Sequence, residues 1–165
     1  MHEFLVAGAL VETGGDVLLV RNVRRSGQED WSTPGGVIDA EDPTLLDGLA
    51  REVEEETGLR VTAWEGPVYE VRAEAIDMGW TLRVEVHRAV AFDGELRVAD
   101  PDGIVVEAAF FSPERCAALL TEMAPWVREP LGEWLAERWG LDARRDYRYR
   151  VLGTNRRSLD VQRAR

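Results

Sequence analysis

Lysine is absent: all twenty basic residues of this 165-residue chain are arginine. Catalysis through a lysine Schiff base or a lysine general base is therefore excluded. Cysteine occurs once, at Cys116, so no intrachain disulfide can form, and a buried inert thiol is the expected role. Histidine occurs only at His2 and His87, which are far apart and at no ligand spacing, and this disfavours zinc. Long apolar runs are missing too. Phe4–Val11 is too short to span a bilayer and has no Lys/Arg region before it, so neither a membrane span nor a signal peptide is expected. The cytoplasm is the default compartment. No repeat or low-complexity block interrupts the chain. Net positive charge is lacking as well: the formal charge is −11, which argues against a general nucleic-acid binder. A phosphate-bearing substrate would need a local cationic or metal site.

What is present is 45% hydrophobic and 31% charged residues, the composition of a globular protein with a real core. Phe4–Glu12 and Val17–Arg24 are β-rich and flank Thr13-Gly14-Gly15-Asp16, a hairpin signal. A short strand is expected at Trp31–Thr33, ended by Pro34-Gly35-Gly36. Further strands are expected at Arg60–Trp64, Val68–Ala75 and Trp80–Phe92. In the last of these, Leu82, Val84 and Val86 alternate with Arg83, Glu85 and His87. Ile104–Phe111 is apolar enough to suggest burial on both faces. Pro113–Glu122 and Pro130–Trp139 read as helices, the second with Leu131, Trp134, Leu135, Arg138 and Trp139 on one stripe. Strands with one helix mid-chain and helices at the end point to an α/β or α+β sandwich around a mixed sheet.

The mid-chain helix carries its acids in the wrong place. Asp42 and Pro43 suit its N-cap and first position, and Gly58 suits the C′ position. Glu52, Glu54, Glu55 and Glu56 crowd the last turn, where the helix dipole disfavours each acid by roughly 0.3–1 kcal/mol. Glu52 and Glu56 also repel each other at i,i+4. With Glu52 at zero on a wheel of about 100° per residue, Glu55 falls near −60° and Glu56 near +40°. These three share a face and Glu54 does not. Gly48 lies on that face one turn earlier and leaves room for a ligand or a neighbouring backbone. Leu46, Leu49, Ala50 and Val53 form the adjoining face that anchors the helix. Three carboxylates without histidine or cysteine suit a hard cation, Mg²⁺ first and Mn²⁺ second. Arg51 is placed to pair with Glu41 or Asp42.

These residues carry a family resemblance. Gly36–Leu59 resembles the Nudix box, G-x5-E-x7-R-E-U-x-E-E-x-G-U, where U is aliphatic. Arg51, Glu52, Val53, Glu55, Glu56, Gly58 and Leu59 match in full. Gly36 stands one residue too far from Arg51, so the loop glutamate of the pattern falls on Asp42 or on Glu41. A Trp-x-x-Pro-Gly-Gly turn before the box is similar as well. The resemblance implies a Nudix-like α/β/α sandwich. It also implies a pyrophosphohydrolase acting on a nucleoside di- or triphosphate, or on a nucleoside diphosphate linked to another moiety. It assigns Glu52, Glu55 and Glu56 as metal ligands, with Glu55 and Glu52 also candidates for the catalytic group. Gly36, Arg51, Glu41, Asp42 and Gly58 become structural supports of the site. Many family members recruit a further acid from a later loop; Asp102 in Asp100-Pro101-Asp102-Gly103 is the first candidate here and Glu107 the second. Residues that mark substrate subfamilies are missing: family members acting on ADP-ribose tend to carry a proline about fifteen residues past the box and those acting on diadenosine polyphosphates a tyrosine slightly farther on, whereas that region here is Glu74-Ala75-Ile76, and Pro67 and Tyr69 come too early. Trp31, Trp64, Tyr69 and Trp80 are read as core or strand-surface residues rather than base-stacking ones, and the substrate-binding residues stay unassigned.

Residues 143–165 differ in composition from residues 1–142, which are read as the catalytic domain. They hold eight arginines and two aspartates, a net +6 against −17 for the remainder. Tyr147-Arg148-Tyr149-Arg150-Val151 alternates like a strand. The segment is read as a solvated arginine-rich tail, as a contact to substrate phosphates or RNA, or as a dock for an acidic surface such as a second subunit in a homodimer. Two function classes follow: a metal-dependent hydrolase, and a non-catalytic Nudix-like module that senses a nucleotide. The intact acidic triad favours the enzyme.

Overall fold

Val17, Leu18, Leu19 and Val20 are four consecutive residues with no exposed surface, so the strand that holds them must be covered on both faces. The computed structural model, which describes residues 1–164, explains how. The elements in chain order are β1 (His2–Leu10), β2 (Glu12–Thr13), β3 (Asp16–Val23), β4 (Glu29–Ser32), β5 (Gly35–Val37), α1 (Leu45–Thr57), β6 (Arg60–Ala75), β7 (Trp80–Asp93), β8 (Val105–Phe111), α2 (Pro113–Leu119), α3 (Pro125–Glu137), β9 (Arg145–Leu152) and β10 (Asp160–Arg163). A six-stranded sheet runs β10-β9-β6-β7-β1-β5, and a four-stranded sheet is built around β3, which pairs β2, β4 and β8. The larger sheet is mixed, because β1–β7 and β6–β9 are parallel and the other pairs antiparallel. Alternate residues feed two cores. Ala7, Ala9, Leu18 and Val61 pack on Leu49 and Val53 of α1. Leu10, Leu19, Tyr69, Val71 and Val86 pack with Leu131 and Trp134 of α3. The expected α/β/α layering with a mixed sheet is what forms. No helix among the described residues is long and apolar enough to cross a membrane.

Several expectations are corrected. The Phe4–Glu12 run is not one arm of a hairpin: His2–Leu10 pairs β7 along its whole length, and only Glu12–Thr13 turns back on β3. A long parallel partner outweighs the short local turn. Arg60–Trp64 and Val68–Ala75 are one strand, with the interruption at Glu65–Pro67 absorbed by register shifts against β7. β8 is not buried on both faces. It pairs only β3, and Val106 is 43% exposed at this sheet edge. The last helix starts at Pro125, with Pro130 inside it; Pro125 takes the first-turn position where a missing N–H costs nothing, and Pro130 is buried against the core. Its Leu131, Trp134 and Leu135 are buried as expected, and so is Trp139, although the helix ends at Glu137 rather than at Trp139. Arg138 instead turns out in a left-handed cap to reach Glu12 and the carbonyl of Gly15.

Of the segment read as a tail, Arg165 lies outside the described residues, and the largest correction concerns residues 143–164. They are not a solvated tail. β9 lies beside β6, and Tyr147, Tyr149 and Val151 are buried while the arginines between them face outward.

Candidate active site

The site begins with the close approach of two backbones. Gly35, at φ 146°, sits so near β1 that a Cβ there would lie 2.1 Å from the Ala7 carbonyl oxygen. That approach places the Gly35 N–H against α1, where it donates to Glu56 Oε2 at 2.8 Å. Gly36 follows, with its Cα facing the Glu52 carboxylate; a Cβ would come within 3.5 Å of it. The Gly-Gly pair thus holds the last turn of α1 against the sheet.

α1 starts at Leu45, two residues later than the Pro43 start expected. Its N-cap is Thr44, whose hydroxyl accepts from Asp47 N–H at 3.1 Å, so Asp42 is not the cap. Asp42 has another task. Both its oxygens accept from the Arg51 guanidinium, each at 3.1 Å, and it also accepts from Asp39 N–H at 3.0 Å. Glu41 is exposed and makes no such contact. The ambiguity between the two acids resolves in favour of Asp42 as the partner of Arg51. Gly48 explains how the loop fits: a Cβ there would meet Asp42 Oδ2 at 2.7 Å. The space kept by Gly48 is filled by a side chain of the loop, not by a ligand or a neighbouring backbone.

Arg51 continues to the other end of the helix, reaching Glu52 at 3.2 Å and Glu55 at 3.3 Å. Its charge is held firmly, first by the Asp42 hydrogen bonds. Those same bonds lower the Asp42 pKa. The three acids of the shared face differ in burial. Glu56 is 7% exposed, and burial pushes its pKa up to about 8, against the opposing pull of the Gly35 N–H; the charges of Glu52, Asp100 and Glu55 add to the rise. Burial also raises Glu52, which Arg51 opposes and the charges of Glu55 and Asp102 reinforce. Glu55 is half-buried beside Arg51. Glu54 lies off this face near Arg60, as the wheel requires.

Gly58 ends the helix at φ 80°. It also receives the loop between β7 and β8: Arg97 N–H donates to the Thr57 carbonyl at 2.8 Å, and a Cβ on Gly58 would strike the Glu95 carbonyl oxygen at 2.7 Å. This contact brings the Asp100–Gly103 turn to the site. Asp100 is consumed by the turn itself, accepting from the N–H groups of Asp102, Ile104 and Val105. Asp102 is exposed and lines the same cavity as Glu52 and Glu56. Glu107 does not reach it. It pairs at 3.0 Å with Arg21, its cross-strand neighbour on β3, and does not line the cavity, so it falls away as a candidate.

The cavity has a volume of about 630 Å³ and lies between the two sheets. Asn22 and Ser32 come from the second sheet and Arg24 from the turn after β3, Val84 and Val86 come from the first sheet, and Trp126 from α3. None of these second-sheet or α3 residues stood out in the sequence, because a single polar residue in a strand carries no local signal. Of the four aromatic residues weighed as stacking groups, Tyr69 lines this cavity but is buried in the core, and Trp31 packs edge-on against Phe111. Among the described residues no three acids converge closely enough to enclose an ion as they stand. Arg51 occupies two of them. The donor chemistry still fits a hard cation: the cavity's acids are all carboxylates, no histidine or cysteine lines it, and a buried carboxylate at Glu56 lacks a cationic partner among the described residues.

A family model for the NUDIX domain matches residues 2–135. A MutT-like protein of Streptomyces ambofaciens is 44% identical over 61 residues, a stretch spanning 37% of this chain and 37% of that protein. The crystal structure of a MutT NUDIX hydrolase from Burkholderia pseudomallei superimposes with a TM-score of 0.60 at 27% identity, covering 69% of this chain and 86% of that one. An ADP-ribose pyrophosphatase from Streptococcus suis is similar with a TM-score of 0.55 at 25% identity, over 87% and 98% of the two chains. The E. coli ORF135 protein shares the fold, with a TM-score of 0.68 at 24% identity over 84% and 92%.

Proposed function

The chain belongs to the Nudix family, and from that premise we propose that it is a Mg²⁺-dependent pyrophosphohydrolase. Its substrate is a nucleoside di- or triphosphate, or a nucleoside diphosphate linked to another moiety. The observation that carries this reading is the buried Glu56, held by the Gly35 N–H at 2.8 Å beside Glu52 at the floor of a cavity of about 630 Å³. A buried carboxylate with raised pKa among further acids is costly unless the site has a use for it.

In this reading Glu52, Glu55 and Glu56 hold the cation, with Mn²⁺ as the substitute. The bound cation supplies charge neutralisation for the phosphates at the scissile bridge. The chain supplies the rest. Asp102, exposed at the rim, takes the proton of the attacking water, and Glu52 or Glu55 orients that water. Arg51 acts indirectly: it fixes Glu52 and Glu55, and Asp42 fixes Arg51. Val84, Val86 and Trp126 exclude bulk water from the inner end of the cavity.

Phosphate release from a nucleotide panel with Mg²⁺ tests the reading. Turnover is expected for at least one substrate, with loss of activity in EDTA and recovery with Mg²⁺. Glu55→Gln should lower kcat by about 10²-fold or more, with Tm moved by less than about 3 °C. Ligand binding without turnover at any divalent metal would replace the enzyme with a nucleotide sensor.

A further inference from the structure

A second cavity of about 830 Å³ opens where the residues beyond the family match return to the sheet. Trp80, at the start of β7, and Trp126, in α3, form its aromatic wall, with ring centroids 6.1 Å apart and planes inclined by 66°. Met78 and Met123 extend that wall, and Arg156 and Arg157 stand on the rim, exposed. Leu82 and Trp126 line this cavity and the first one alike, so the two adjoin.

The rim is built rather than loose. Gly153 N–H donates to Asp77 Oδ2 at 2.8 Å, which ties the arginine loop to the turn that supplies Met78. Asn155 then organises the loop, its side chain accepting from Arg157 N–H at 3.0 Å and its carbonyl from Ser158 N–H at 2.9 Å. Of the other arginines of this segment, Arg144 pairs with Glu70, Arg145 with Glu137 and Arg163 with Glu133, while Arg148 and Arg150 project from β9 away from this cavity. Arg156 and Arg157 pair with no carboxylate of the described residues, and they line the same cavity as the two indoles, with Glu122 the one acid in that lining.

Indole faces and edges take a planar ring, methionines adapt to its outline, and a guanidinium pair takes a phosphate. A ring bearing a phosphate is the chemistry common to all three. The first cavity is lined by Glu52, Glu56, Asp100 and Asp102, and the whole chain carries −11, so an anionic group beyond the scissile bridge is repelled there and attracted to the arginine rim. We propose that the second cavity holds the distal nucleoside-phosphate end of a two-headed substrate whose polyphosphate bridge lies across the acidic site. This rests on the pyrophosphohydrolase reading, and it assigns Arg156, Arg157, Trp80 and Trp126 to substrate selection.

The test compares the intact enzyme with an Arg156→Ala/Arg157→Ala double variant on dATP and on diadenosine tetraphosphate, with Mg²⁺. The expected result is a KM for diadenosine tetraphosphate raised about tenfold with kcat within twofold, no change in either constant for dATP, and recovery in Arg156→Lys/Arg157→Lys. Equal effects on both substrates, or none, would overturn the assignment. Hydrolysis of dATP by an enzyme that neither cleaves diadenosine tetraphosphate nor binds it through the arginines would overturn it while leaving the hydrolase reading intact. Quenching of tryptophan fluorescence supplies the readout free of chemistry. Arg-dependent quenching by diadenosine tetraphosphate supports the site even without turnover, and absence of quenching sinks it. Arg-dependent quenching by AMP, with the KM for diadenosine tetraphosphate unmoved, would make the cavity a separate nucleotide site and overturn the substrate role.

Discussion

Asp42 and Glu41 are adjacent acids with different fates, and the difference is set nine residues away. Asp42 is drawn off the helix cap by Arg51, and Thr44 takes the cap instead. A local rule for helix starts cannot see that competition. The Thr44–Asp47 pair, however, was readable as a hydroxyl followed three residues later by an acid. Asp42→Ala should lower both Tm and activity, the latter by roughly ten- to a hundredfold as for other residues that orient a catalytic group. Glu41→Ala should move neither. Thermal melts and kinetics on the two variants check this, and equal effects would return the supporting role to ambiguity. At this scale the acidic triad was legible because helical spacing alone puts Glu52, Glu55 and Glu56 together. Their unequal burial was not legible. It depends on Gly35 and Gly36 arriving from another strand, an approach that a wheel does not contain.

Among the elements, α1 was legible to within two or three residues, and its C-terminus was legible to the residue. Gly58 satisfies a cap requirement that any helix end has. Its second role was hidden, because the loop it receives lies nearly forty residues on. Gly58→Ala therefore meets two penalties: a left-handed backbone, at about 1 kcal/mol or more, and the Glu95 carbonyl 2.7 Å from the new Cβ. The expected outcome is a Tm lower by several degrees and a fall in kcat larger than that instability explains, because the Asp100–Gly103 turn is displaced with the loop. A variant that melts early but keeps full kcat at low temperature would separate the loop from the chemistry. β6 and β8 were misread for one physical reason. Strand signals are local, whereas a bulge opposite β7 and an edge position beside β3 are properties of the partner strand.

Across the whole molecule, the +6 charge of residues 143–165 suggested a separate tail, whereas the alternation of Tyr147, Tyr149 and Val151 suggested a strand. The strand reading is the one the sheet requires. Alternation reports burial on one face, whereas composition counts charge without regard to face, so the outward Arg148 and Arg150 mask the buried residues between them. Removing residues 142–165 should therefore not yield a well-behaved catalytic domain. Burial of Tyr147, Tyr149 and Val151 contributes about 1.5–3 kcal/mol each, a large part of the roughly 5–15 kcal/mol that stabilises a typical domain. Loss of a cooperative melt in the truncated chain is the expected result. A folded, monomeric fragment would mean that the six-stranded sheet does not need its last two strands.

The chain passes between its two sheets at Val11 and again at Thr33–Pro34, and the two crossings are joined by the Ala9 N–H donating to the Pro34 carbonyl at 2.9 Å. The cavity of the candidate site lies between those sheets, with one wall on each. Its width is therefore set at a riveted corner, like the gape of a jaw fixed by its joint. Substitutions at Gly8, which lines the cavity and where a Cβ would stand 3.1 Å from Thr33 Oγ1, press on that joint and change what the jaw admits without touching the acidic end of α1.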